Sequence, residues 1–82
     1  MQSLFAVKNE SSIPAINIDI DGERVFSEII KGDTSPFIIL PEGSITLTVF
    51  NNFEKCIFNK WLKIASKKKI VFKVLDSFLN FT

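Results

Sequence analysis

The sequence predicts an all-β chain: a two-sheet sandwich or small barrel of roughly six to eight short antiparallel strands. Three observations carry that reading. Ile16, Ile18 and Ile20 alternate with Asn17 and Asp19, and Ile45, Leu47 and Val49 alternate with Ser44, Thr46 and Thr48. This period of two places one row of side chains on each face of a strand. Turn-forming residues recur about every 8 to 12 positions, the rhythm of short strands. Finally, 46% of the chain is hydrophobic and nine residues are Phe, a composition that builds a packed core and argues against disorder.

Taken in order, residues 4–7 form a first strand that ends in the polar residues 9–12. Pro14 opens residues 15–20, the clearest half-buried strand of the chain. Asp21 and Gly22 then supply the dipeptide that favours positive φ in a two-residue hairpin turn, and residues 23–26 return from it. A loop over residues 31–36 leads into the stretch around which the rest is organised. There, two runs rich in branched and aromatic residues flank Pro41, Glu42 and Gly43, which reads as strand, tight turn and strand in a hairpin.

After Asn51 and Asn52 the periodicity is ambiguous. Phe53, Cys56, Ile57, Trp61, Ile64 and Ala65 fall at helical spacing, whereas Phe58, Leu62 and Ile64 fall at strand spacing. A strand is the better reading because Lys67, Lys68 and Lys69 then form an exposed turn that feeds Ile70, Phe72 and Val74. A last short strand is expected over residues 78–81. The expected core is Ile16, Ile18, Ile20, Ile38, Leu40, Ile45, Leu47, Val49, Leu62, Ile64, Phe72 and Val74, with Gly22 and Gly43 at positive φ.

Composition excludes several kinds of chemistry. Eighty-two residues make one domain, and its single Cys allows no internal disulfide. The chain has no His and no Tyr, which removes every His-dependent catalytic triad and the commonest metal ligand. No apolar run approaches the ~20 residues of a membrane-spanning helix. The N-terminal residues lack the basic and apolar regions of a signal peptide, so the expected location is the cytoplasm, with export expected only if a leader was trimmed.

Three groups invite functional readings. Asp19, Asp21 and Glu23 sit two apart around a turn and could offer oxygens to calcium, but they lack the dense spacing of a calcium loop, and a turn role for Asp21 and a solvent-facing role for Asp19 explain them better. Cys56 has Lys55 and Lys60 nearby but no base to activate it, and between Lys55 and Ile57 it reads as a small core residue. The expectation is therefore no catalytic residue, no metal and no cofactor.

The charge distribution is the third. Residues 1–54 hold eight acids against three bases, and residues 55–82 hold seven lysines against one acid. Lys60, Lys63, Lys67, Lys68, Lys69 and Lys73 could form a polyanion surface, with exposed Trp61 and Phe53 to stack on bases. Lysines also solvate edge strands and block edge-to-edge pairing, and the lack of arginine among them argues against specific nucleic-acid recognition. Ile57, Trp61, Val71 and Leu75 fall on the face opposite the core rows of the C-terminal strands. They form the expected partner surface, for a second copy in a homo-oligomer or for another protein.

One resemblance bears on the first two thirds of the chain. Residues 14–22 read PAINIDIDG, Val25, Phe26 and Ile29 follow, and residues 35–38 read SPFI before LPEG at residues 40–43 and LTV at residues 47–49. This pattern resembles the bacterial family known as domain of unknown function four-three-nine-seven, whose members show PAVDVYVDG, LPAG and Y-x-L-x-V at the corresponding places. The resemblance covers roughly residues 4–50. Residues 8–13 read KNESSI where members carry a HASPDAP-like segment, so no role of that segment carries over. The resemblance implies an immunoglobulin-like β-sandwich of the kind found in exported or envelope-associated proteins, with no assigned activity. The expected function is a non-enzymatic binding or assembly module for a protein or cell-envelope polymer. The alternative is a weakly specific polyanion binder.

Overall fold

The computed structural model describes residues 2–78. Among them run seven strands: β1 (Gln2–Glu10), β2 (Ala15–Ile20), β3 (Glu23–Ile30), β4 (Ile38–Pro41), β5 (Gly43–Phe50), β6 (Cys56–Ile64) and β7 (Lys69–Leu75), followed by one 3-10 turn, Asp76–Phe78. The strands form two sheets, a three-stranded one in the order β4-β1-β7 and a four-stranded one in the order β3-β2-β5-β6. The sheets pack face to face as a β-sandwich, with Phe5, Val7 and Val74 from one meeting Ile16, Ile18, Leu47 and Val49 from the other in one cluster. All twelve expected core positions lie in that cluster or against it. Phe5, Val7, Phe26 and Ile29 join them.

The Asp21 and Gly22 turn forms as expected. Both residues have positive φ, 51° and 87°, the signature of a two-residue turn whose twist matches its strands. Ile20 and Glu23 close it as facing partners. Residues 56–64 are a strand, in line with the preferred reading of that segment, and the expected strand over residues 78–81 lies almost wholly outside the described residues.

Three expectations are corrected. The stretch around Pro41 is not a hairpin, because β4 pairs with β1 while β5 pairs with β2 and β6. Ile38 and Leu40 on one side, and Ile45, Leu47 and Val49 on the other, all point into the same core. Placing the two runs in opposite sheets lets them bury each other, whereas a hairpin would set them side by side. Gly43, at φ 135°, turns this corner.

For the same reason Lys67 and Lys68 do not join a hairpin. They carry the chain from β6 in one sheet to β7 in the other. The third correction concerns direction: β7 runs parallel to β1 over seven partnered residues, from Leu4 with Lys69 to Glu10 with Leu75. Parallel neighbours need a long connection, and almost the whole chain lies between these two.

Buried polar side chains fasten the connections at both ends of β1. Ser3 donates to the Ala65 carbonyl and accepts from the Lys68 amide at 3.0 Å, which ties the lysine turn to the start of β1. Asn9 is fully buried. Its Nδ2 donates to the carbonyls of Ile13 and Ile29, both at 3.0 Å, and its Oδ1 accepts from the Ser11 amide and hydroxyl. Ser35 accepts from the Val7 amide at 2.9 Å and so holds the loop before β4 against β1.

Candidate functional site

Strand register determines what each sheet shows to solvent. In β1, Ser3, Phe5, Val7 and Asn9 point inward, which leaves Leu4, Ala6, Lys8 and Glu10 on the outer face. Leu4 is partnered by Ile39 on one side and Lys69 on the other, and Ala6 by Val71. Leu4, Phe37, Ile39 and Val71 are 42%, 39%, 61% and 40% exposed, so four of the large apolar side chains open to water share this one face. Isolated exposed apolar residues are ordinary, but a contiguous group on a sheet face marks a surface that expects cover.

Lysines border this apolar ground. The Lys69 ammonium lies 4.8 Å from the centre of the Phe37 ring. Because β1 separates β7 from the segment that carries Phe37, this cation–π contact reaches across the sheet. Lys73 stands beside Lys8 two outward rows further along, and Lys8 is paired with Glu10 at 3.2 Å. The surface is therefore an apolar centre with a cationic margin.

The outer face of the other sheet is polar. Ser44, Thr46 and Thr48 of β5 lie beside Lys63, Trp61 and Asn59 of β6. Toward β3, Arg24 is a hub: its Nε donates to Asp19, its two terminal nitrogens donate to Glu54 at 3.0 and 2.7 Å, and its guanidinium lies 5.1 Å from the Phe50 ring. Asn17 completes the group, donating to Glu54 at 2.9 Å and accepting from the Glu28 amide at 2.7 Å. Glu28 has φ 53°, at the irregular stretch where β3 slips its register against β2. The bidentate bond from Arg24 holds the Glu54 carboxyl below its usual range, and the two carboxylates raise the Arg24 guanidinium further above neutrality. This network latches the β5–β6 loop to the sheet and fully engages its charges.

The four residues expected as one partner surface do not come together. Trp61 stands 76% exposed on the outer face of the four-stranded sheet, and Val71 and Leu75 lie on the outer row of the three-stranded sheet, on the opposite side of the molecule. Ile57 packs against the core. The expectation placed β6 and β7 in one sheet, and their assignment to different sheets separates the residues. Of the four, Val71 belongs to the apolar face, whose other members Leu4, Phe37 and Ile39 sequence reasoning missed. The signal was present in the outward phase of residues 4 and 39, but it needs the β4-β1 pairing to be read as a surface.

The six lysines are all exposed yet divided. Lys63 lies on the polar sheet face, Lys60 on the core-facing row of edge strand β6, Lys67 and Lys68 in the connection, and Lys69 and Lys73 on the outer row of edge strand β7. Strands β6 and β7 are both sheet edges, where lysines oppose pairing with a stray strand.

Cys56 is exposed rather than core. A bulge opposite Val49 and Phe50 shifts the phase of β6, so that Cys56 partners the outward Phe50 while Ile57 turns inward. Asp19 is engaged by Arg24, and Asp21 accepts from the Thr46 amide at 2.9 Å. Among the described residues no group of three His, Cys, Asp or Glu side chains gathers as metal ligands.

No family model, curated protein or solved structure matches the chain.

Proposed function

We propose that this sandwich is a non-enzymatic docking module, immunoglobulin-like in the sense its N-terminal resemblance implies, that binds another protein on the outer face of β4-β1-β7. The observation that carries the reading is the gathering of Leu4, Phe37, Ile39 and Val71 on one sheet face. The margin of Lys69 and Lys73 selects the partner: an apolar stretch flanked by carboxylates, complementary in both respects. A second copy fits less well, since a symmetric pairing of this face with itself brings its own cationic margin into the interface.

The face crosses three chain segments about 4.8 Å apart, over roughly five residues of β1 from Leu4 to the Lys8 and Thr34 bridge, and offers an area of about 250 Å². That is about a third of what each partner contributes to a standard interface of ~800 Å² a side. The contact is thus weak and transient unless the partner also reaches the neighbouring loops.

Selection of a displayed peptide library on the wild-type protein tests this, with Ile39→Glu/Val71→Glu as the counter-selection. Enriched peptides should combine apolar residues with Asp or Glu, lose binding to the variant and weaken with salt. Peptides that bind the variant as well as the wild type would overturn the assignment. A wild-type dimer in sedimentation that Ile39→Glu dissociates would replace the acidic partner with a second copy.

A second reading, a weakly specific polyanion binder, rests on Lys67 and Lys68 standing exposed in the connection between Lys63 and Lys69. Heparin affinity that Lys67→Glu/Lys68→Glu abolishes and Ile39→Glu leaves intact would favour it.

A further inference from the structure

We infer that the outer face of the four-stranded sheet is a second binding surface, for a neutral polysaccharide, centred on Trp61. The indole is 76% exposed, and its neighbours on the outward rows of β5 and β6 are the hydroxyls of Ser44, Thr46 and Thr48, the Asn59 amide and the Lys63 ammonium. Thr46 is its direct cross-strand partner, the Thr48 and Asn59 pair lies one row along, and the Ser44 and Lys63 pair lies on the other side. Cross-strand neighbours stand about 5 Å apart and successive rows about 7 Å apart. The platform is therefore a regular grid of hydrogen-bonding groups beside one aromatic plate. A pyranose ring has matching chemistry: an apolar face of C–H groups for the indole, and equatorial hydroxyls for the threonines and Asn59. A protein partner would call for contiguous apolar cover, which this face lacks and the opposite face has.

Charge separates a neutral glycan from a nucleic acid. Single-strand binders line a basic groove and supply several stacking rings. Here Lys63 is the only charged residue on the outward rows of β5 and β6 among the described residues. Arg24, further across the sheet, is committed to Asp19 and Glu54. Phe50, the other aromatic on this face, lies under the Arg24 guanidinium. The outward rows of β5 and β6 therefore offer one stacking position and a single charge, which suits a neutral chain of sugars.

Trp61 is the single Trp of a chain with no Tyr, so intrinsic fluorescence reports this site directly. Titration with hexamers of β-1,4-linked glucose and of β-1,4-linked N-acetylglucosamine should give a saturable blue shift with at least one. Thr46→Val keeps the indole and a strand-favouring side chain, and should weaken that binding roughly tenfold. Trp61→Ala should abolish it by calorimetry with unchanged circular dichroism, as expected for an exposed residue. Ile39→Glu should leave it intact, which separates this surface from the opposite one. No spectral change with either hexamer at millimolar concentration would overturn the inference. So would a change produced only by oligo-dT or heparin, which would give the face to polyanions.

Discussion

Asn9 is the residue whose removal should reveal most about how the sandwich is closed. Its side chain is fully buried and makes four hydrogen bonds, joining β1 to Ser11, to the Ile13 carbonyl and to the Ile29 carbonyl of β3. Asn9→Leu keeps the volume and removes every bond. The Ser11 hydroxyl can still serve the Ile13 amide, to which it is already bonded at 3.2 Å. The Ser11 amide and the Ile29 carbonyl are left buried without their Asn9 partner. At ~1–3 kcal/mol for each such group, the loss is roughly 2–6 kcal/mol. An 82-residue domain holds only about 4–12 kcal/mol in total.

Urea unfolding followed by far-UV circular dichroism measures this directly, with an unchanged denaturant slope showing that the same surface is still exposed. Asn9→Asp sharpens the test. It keeps the acceptor for Ser11 but turns a carboxylate oxygen toward two carbonyls, so its folded pKa rises above the ordinary Asp value. The protonated form is then favoured by the folded state, and the penalty should be smallest below about pH 4 and grow as pH rises. A loss under about 1 kcal/mol for Asn9→Leu would show that the network does not hold β1 to its connections.

Other outcomes follow from the same structure. Leu47→Ala removes a fully buried side chain from the centre of the core and should cost roughly 2–5 kcal/mol by denaturant titration. Gly22→Val should lower the melting temperature by more than an ordinary surface change, because φ there is 87° although nothing crowds the position. The Glu54 carboxyl is depressed in the folded state by Arg24, so its contribution is present above the usual carboxylate value and lost as pH falls through the folded one. Wild type should therefore melt slightly above Glu54→Gln at neutral pH. The gap should close as pH falls below about 4.5, and it should be small throughout because the pair is exposed.

The fold was legible wherever local alternation determined it. The rows Ile16, Ile18, Ile20 and Ile45, Leu47, Val49 gave β2, β5 and their buried faces, and Asp21 with Gly22 gave the one tight hairpin turn. Pairing was not legible, because alternation names a face and not a neighbour. Pro41, Glu42 and Gly43 look alike whether the chain folds back within a sheet or crosses to the other, and only the shared core decides between them. Asn9 read as part of a polar segment after the first strand and Ser3 lay outside that strand, yet tertiary contacts bury both. Cys56 and Ile57 exchanged places because one bulge inverted the phase of β6. The candidate surface suffered most, since Leu4, Ile39 and Val71 come from three distant segments that meet only when β4 and β7 flank β1.

On the proposed reading, this module docks through the outer face of β4-β1-β7. Amide chemical-shift mapping with an acidic, apolar peptide from the display selection tests it most directly. The largest changes should fall on Leu4, Ala6, Phe37, Ile39, Lys69 and Val71, while Thr46, Asn59 and Trp61 stay still. Changes concentrated on the Trp61 face, or on Lys67 and Lys68 between the sheets, would contradict it.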